Sequence, residues 1–142
     1  MAQSATPALP PPVSPTCITS PYGPRLLAHD PLADRFHHGL DLRAGLGTTV
    51  HAVAAGRVIS IDRRGAGGLE VRVQHNGFTA LYGHLGRLTP ALARGKRSVA
   101  AGEALGVVGL SGLTYGPHLY FELWINGRRV DPGPYFGIPA CR

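Results

Sequence analysis

Leu69-Glu70-Val71-Arg72-Val73-Gln74, then His75-Asn76-Gly77, then Phe78-Thr79-Ala80-Leu81-Tyr82-Gly83-His84-Leu85: this stretch decides the fold. Its first part alternates apolar and polar residues with period two, the pattern of a half-buried strand. Asn-Gly is the strongest short hairpin signal, because both residues tolerate the positive φ of a tight turn. The return strand follows at once. Upstream, Thr49–Val53 and Gly56–Ile61 are short β-branched runs separated by a turn-prone Ala-Ala-Gly. Downstream, Pro90–Arg94 carries one turn of helix, Ala104–Val108 reads as a buried strand, and His118–Ile125 as a strand turned back by Asn126-Gly127. No stretch has the period of a long amphipathic helix, and no repeat is present.

Along His118–Ile125 the alternation sorts the side chains. Leu119, Phe121, Leu123 and Ile125 share one face and form the core side. His118, Tyr120, Glu122 and Trp124 share the other, which faces a groove or solvent.

Composition agrees with a turn-rich all-β domain. The 142 residues include 20 Gly and 13 Pro, both poor in helix interiors. Hydrophobic residues make up 44% and charged residues 15%, a globular balance rather than a disordered one. The net charge of +6 favours anionic partners such as nucleic acid, a membrane surface or an acidic polymer. The basic residues are scattered, however, with small clusters only at Arg63-Arg64, Arg94–Arg97 and Arg128-Arg129. No basic helix, zinc-finger spacing or aromatic nucleic-acid motif accompanies them, so no nucleic acid is expected. No apolar run is long enough to span a membrane. The N-terminus lacks a charged-then-apolar leader pattern and reads as a mature terminus behind a start methionine.

Residues 1–16 contain five prolines and few large apolar side chains, so they are expected to be an extended, disordered tail or linker, with the domain occupying 17–142. Cys17 and Cys141 stand just inside the two ends. They are either two free thiols or a bridge, and termini often lie close together. A bridge would close a loop of more than about 100 residues, stabilising by roughly 4–5 kcal/mol in the chain-entropy model. The bridge is the preferred reading and implies an oxidising compartment, periplasmic or secreted.

Seven histidines are many for this length. His37 and Asp41 are four apart, a spacing that puts them on one face of either a strand or a helix, with Gly39 between them permitting close backbone approach. A histidine and a carboxylate on one face are a common pair of zinc ligands. His84 ends the hairpin's return strand and His118 opens the last long strand. His29, His38, His51 and His75 have no comparable neighbours and read as surface or strand-face residues. No nucleophile elbow or phosphate-binding glycine loop is present.

In order along the chain, these pieces resemble the lysostaphin-type or LytM-type zinc metallopeptidases, which cut the peptide part of bacterial peptidoglycan. The resemblance runs from Ile18 to Phe136. It is carried by Ile18–Arg25, Phe36-His37-His38-Gly39-Leu40-Asp41-Leu42, Gly47–Val58, Leu81–Leu85, Gly116-Pro117-His118-Leu119-Tyr120-Phe121-Glu122 and Val130-Asp131-Pro132. It implies a mostly antiparallel β domain with a narrow groove. It also implies zinc held by His37, by Asp41 and by the second histidine of an H-x-H motif. In that scheme His84 and His118 are the catalytic residues beside the metal, helping to deprotonate its water or to stabilise charge on the scissile carbonyl.

At the third ligand position this chain has Tyr120. A neutral phenol is a poor ligand, since its ordinary pKa is about 10, and catalytic zinc takes three protein ligands plus an open position. Three substitutes are conceivable: Tyr120 as phenolate, Glu122 from the next step of the strand, or His118 itself. Two functions follow. One is a degenerate groove, lined by Tyr120 and Glu122, that binds a peptidoglycan peptide or a partner cell-wall hydrolase without cutting. The other is a working zinc endopeptidase acting on peptidoglycan cross-links. The cofactor is zinc, if any is bound.

Overall fold

The computed structural model describes residues 9–25, 36–63, 65–112, 114 and 116–142. Its strands are β1 (Ile18–Ser20), β2 (Gly23–Pro24), β3 (Phe36–His37), β4 (Leu40–Arg43), β5 (Thr49–His51), β6 (Gly56–Asp62), β7 (Leu69–His75), β8 (Phe78–Leu88), β9 (Ser98–Val99), β10 (Ala104–Val108), β11 (His118–Ile125) and β12 (Arg128–Val130). One helical turn, α1 (Pro90–Ala93), interrupts them; Thr89 caps it by accepting from the Leu92 N–H, and Pro90 presets its first turn. The expected all-β, mostly antiparallel architecture is what forms.

Ten of these strands make one sheet, with the path β1-β4-β11-β8-β7-β6-β9; β10 joins β5 to β8, and β12 pairs with β11. β2 and β3 form a separate two-stranded ribbon. The long β7–β8 hairpin forms as its sequence requires, with His75 opposite Phe78 across the Asn-Gly turn. At the β11–β12 turn Asn126 and Gly127 both take positive φ, 52° and 76°, the twist that two-residue hairpins need.

One face of the sheet is the core. Val71, Val73, Leu119, Phe121 and Leu123 are buried there, as the period-two pattern requires. Tyr82 and Phe136 pack edge-on against Phe121 at 5.3 Å each. Fully burying an aromatic or large aliphatic side chain of this kind contributes roughly 1.5–3 kcal/mol, so the β8–β11 pair carries much of the domain's stability.

Three expectations need correcting. The first concerns the tail: residues 1–8 lie outside the described residues, but from Leu9 onward the chain packs on the domain. Val13 has no exposed surface. The Pro12 carbonyl accepts from His51 N–H, and Leu9 N–H donates to the Tyr135 carbonyl, both at 2.8 Å. Proline removes a donor but leaves its carbonyl free, so an extended Pro-rich segment can still be tied down from one side. The second concerns His75, which is buried at 3% exposure, because its position in the alternation is a core position. The third concerns Glu122: it lies on the groove face yet is only 6% exposed, covered by its neighbours there. His29 lies outside the described residues.

The two ends are joined. Cys17 and Cys141 form a disulfide across 124 residues. Beside it Ile18 N–H donates to the Pro139 carbonyl, and Cys141 N–H to the Ile18 carbonyl. Among the described residues no helix is long and apolar enough to cross a membrane.

Candidate active site

The groove face of the sheet gathers the residues that the sequence singles out. Asp41 on β4 stands opposite Tyr120 on β11, and Tyr120 stands opposite Gly83 on β8, so His84 enters from the next position. His37 arrives from the β2–β3 ribbon, on a different strand from Asp41 although only four residues away. Gly39 makes that approach possible: a Cβ there would sit 2.3 Å from the Phe121 carbonyl oxygen and 2.9 Å from the Tyr120 ring.

Three histidines are anchored in the same way. Nδ1 of His37 lies 2.9 Å from the Pro21 carbonyl, that of His84 2.7 Å from the Ser111 carbonyl, and that of His118 3.0 Å from the Gly116 carbonyl. A carbonyl can only accept, so each Nδ1 carries the proton and each Nε2 is left to face the site. His37 Nε2 lies 3.2 Å and His118 Nε2 3.5 Å from the same oxygen, Oδ1 of Asp41. The other oxygen, Oδ2, receives Arg25 Nη2 at 3.3 Å. The His84 and His118 rings meet edge to face at 4.7 Å.

Electrostatics follow from this packing. Burial works against the Asp41 charge, but hydrogen bonds from His118 and His37 outweigh it and hold the carboxyl well below its usual range. Burial lowers His118 too, yet its bond and proximity to Asp41 prevail and raise it. His84 is pushed down, mainly by burial, and so favours the neutral imidazole with a free Nε2 lone pair. It also holds a left-handed backbone, φ 62°. For a non-glycine residue such a conformation costs on the order of 1–3 kcal/mol and is typical of functional sites. His84 N–H donating to the Gly67 carbonyl at 2.8 Å helps keep it there.

The Tyr120 hydroxyl is engaged along its own strand. Its hydroxyl donates to Glu122 Oε2, while Trp124 Nε1–H donates to Oε1 at 2.8 Å and Arg129 Nη1 lies 3.5 Å from Oε2. Burial, then the Glu122 charge and the hydrogen bond to it, push the phenol far above its ordinary value. As substitute ligands the sequence offers a phenolate Tyr120 or a rotated Glu122. In this geometry the phenol and the carboxylate are hydrogen-bonded to each other.

The donor set can be tested against zinc on these contacts. His37 Nε2 and Asp41 Oδ1 face each other at 3.2 Å, the adjacency that two ligands of one metal need. The third position offers a protonated phenol committed to Glu122, and the Asp41 charge is already met by Arg25 and His118. Among the described residues no three His, Cys, Asp or Glu side chains are arranged to hold a metal ion. Catalytic zinc takes three protein ligands, and beside His37 and Asp41 the family's third position is held here by Tyr120.

No sequence pattern singles out Arg25 or Ser111 as site residues. Arg25 closes the stretch Ile18–Arg25 and directly follows β2. Ser111 acts through its backbone, and its hydroxyl ties the loop to β7 and β8 by accepting from Leu69 N–H and donating to the Leu85 carbonyl. No side-chain pattern announces such a role.

Comparison with known proteins places this arrangement. Residues 35–132 match the model of Peptidase family M23. The DD-carboxypeptidase/endopeptidase Mpg of Neisseria meningitidis is 40% identical over 119 residues, covering 82% of this chain and 26% of that protein. The murein hydrolase activator EnvC of Escherichia coli is 40% identical over 100 residues, covering 70% of this chain and 23% of that protein. This chain thus spans about a quarter of the length of these relatives. The catalytic domain of the antimicrobial peptidase lysostaphin from Staphylococcus simulans superposes with a TM-score of 0.71 at 26% identity, covering 82% of this chain and 88% of that one. The fold is the LytM/lysostaphin fold, and the chain belongs to peptidase family M23.

Proposed function

We propose that this domain binds the peptide of bacterial peptidoglycan, or a cell-wall hydrolase partner, in the groove around Asp41, with its metal site and peptidase activity impaired. One observation carries this reading: the Tyr120 hydroxyl is a protonated donor locked onto Glu122 at the place where the family supplies a zinc ligand. The names of the relatives fit both halves of the proposal, since they include an endopeptidase and a hydrolase activator. The disulfide and the wall-directed relatives support a site of action in the periplasm or outside the cell.

A second reading, a working zinc endopeptidase, is favoured by the way His37 and His118 both turn Nε2 towards Asp41 Oδ1. In it His118 would serve as the third ligand, leaving His84 as the only free imidazole.

Metal analysis and wall digestion separate the two. Under the first reading the dialysed wild-type protein retains no stoichiometric zinc and binds isolated cell walls without releasing fragments. Tyr120→His then gains both zinc and cutting. If the wild-type protein keeps one zinc per chain, cuts the wall, and loses cutting on His84→Ala, the endopeptidase reading stands and the impaired one falls.

A further inference from the structure

Further along the same face of β11 lies a cavity of about 420 Å³, lined by Ile59, Arg72, Gln74, Phe78, Thr79 and Trp124 and ended by the two Asn-Gly turns. Trp124 is four residues from Tyr120, roughly 13 Å at the rise of an extended strand. The two places are joined by Glu122, which takes the Tyr120 hydroxyl on one oxygen and the indole N–H on the other.

The indole N–H is thereby occupied, and Trp124 meets its surroundings through its ring. Two guanidinium groups lie over that ring, Arg72 at 5.4 Å and Arg129 at 5.2 Å from its centre. They differ in what else they touch. Arg129 is paired with Glu122. Among the described residues the Arg72 guanidinium makes no hydrogen bond or ion pair; Glu70 feels its charge without pairing with it. A guanidinium braced on an aromatic face keeps its in-plane N–H groups available, and that fork matches a carboxylate with two parallel hydrogen bonds. Ile59 and Phe78 add apolar wall for small side chains.

We infer that Arg72, braced by Trp124, forms a second binding site on the groove face that takes a carboxylate of an acidic peptide. The inference rests on the wall-peptide reading and extends it, since it makes Arg72, on β7, a specificity-determining residue three strands across the sheet from Asp41 on β4. A peptide with free carboxyls is held at both places, and a neutral peptide only at the first.

Trp124 is the only tryptophan in the chain, so tryptophan fluorescence comes from this site. The test titrates the protein with a soluble peptidoglycan stem peptide bearing free carboxyls, and with the same peptide amide-capped. Binding of the free acid changes the Trp124 emission. Capping weakens binding to the wild-type protein about tenfold, the scale of one charge-assisted pair. Arg72→Gln weakens the free acid by a similar factor and abolishes the effect of capping. Should Arg72→Gln fail to fold, the capped and free peptides on wild-type protein still decide. If capping and Arg72→Gln both leave affinity unchanged while Asp41→Asn lowers it, the second site is overturned and the wall-peptide reading survives. If neither peptide binds the wild-type protein, the wall-peptide reading falls and this site with it.

Discussion

Strands β8 and β11 carry a tyrosine on each side of the sheet, and the two are used in opposite ways. On the core side Tyr82 is fully buried. Its hydroxyl accepts from Val53 N–H at 3.0 Å and lies 3.1 Å from His75 Nε2. His75 Nδ1 in turn lies 3.0 Å from the Ala55 carbonyl, so it carries the proton and Nε2 accepts from Tyr82. Every donor and acceptor in that chain is matched. On the groove side Tyr120 sits among three histidines whose Nδ1 atoms are anchored in the same manner, but their Nε2 atoms converge on Asp41 or, for His84, end without a hydrogen-bond partner among the described residues. The residue types are alike. A closed chain of hydrogen bonds makes structure, and a chain left open at one atom makes a site.

The contrast can be broken, and the largest lever is on the core side. Phe121→Ala removes the ring between Tyr82 and Phe136 and should destabilise by about 3–5 kcal/mol in urea unfolding. A loss under about 1 kcal/mol would mean that this face is not the core.

Next in size, Tyr82→Phe leaves Val53 N–H and His75 Nε2 buried without a partner, at a cost of about 1–3 kcal/mol. Tyr120→Phe removes one of the donors on Glu122 and keeps Trp124 and Arg129, so it should cost no more than about 1 kcal/mol. Equal losses for the two tyrosines would erase the distinction.

The smallest effect is a pH dependence. Burial lowers the His75 pKa in the folded protein, against hydrogen bonds to backbone carbonyls that raise it. The unfolded chain therefore binds the proton more readily. The stability due to neutral His75 is complete above an ordinary histidine pKa of about 6.5, and it is lost as pH falls through that value towards the lowered one. His84 acts in the same direction and His118 in the opposite one. Melting temperatures measured between pH 7.5 and 5.5 should fall less steeply in His75→Gln than in the wild type. Parallel curves would show that His75 contributes nothing to the slope.

What could be read from the sequence was whatever repeats with the period of a strand. The Asn-Gly hairpin, the apolar set Leu119, Phe121 and Leu123, and the polar set from His118 to Trp124 all follow from alternation. The family resemblance points to His37, Asp41, His84 and Tyr120, which the fold brings to one face. What could not be read depends on partners distant in sequence. Arg25 matters because Asp41 lies beside it. Val13 is core because β5 offers His51 N–H to the carbonyl of the preceding proline. The burial of His75 follows the alternation of Leu69, Val71 and Val73, but its bond to Tyr82 depends on the strand that the hairpin folds back. The direction of the Tyr120 hydroxyl was likewise hidden, since it depends on Glu122 two residues on being covered by its neighbours.

The clasp between Cys17 and Cys141 has a mechanical meaning. Tension applied to the two ends would first peel the segment from Leu9 to Thr16 and then meet a covalent bond that spans 124 residues of the chain. Past that point the load runs from one sulfur to the other and bypasses β4, β8 and β11. The strands that hold Asp41 and Tyr120 in register are thus shielded from force, and a pull on the ends leaves the groove unstretched.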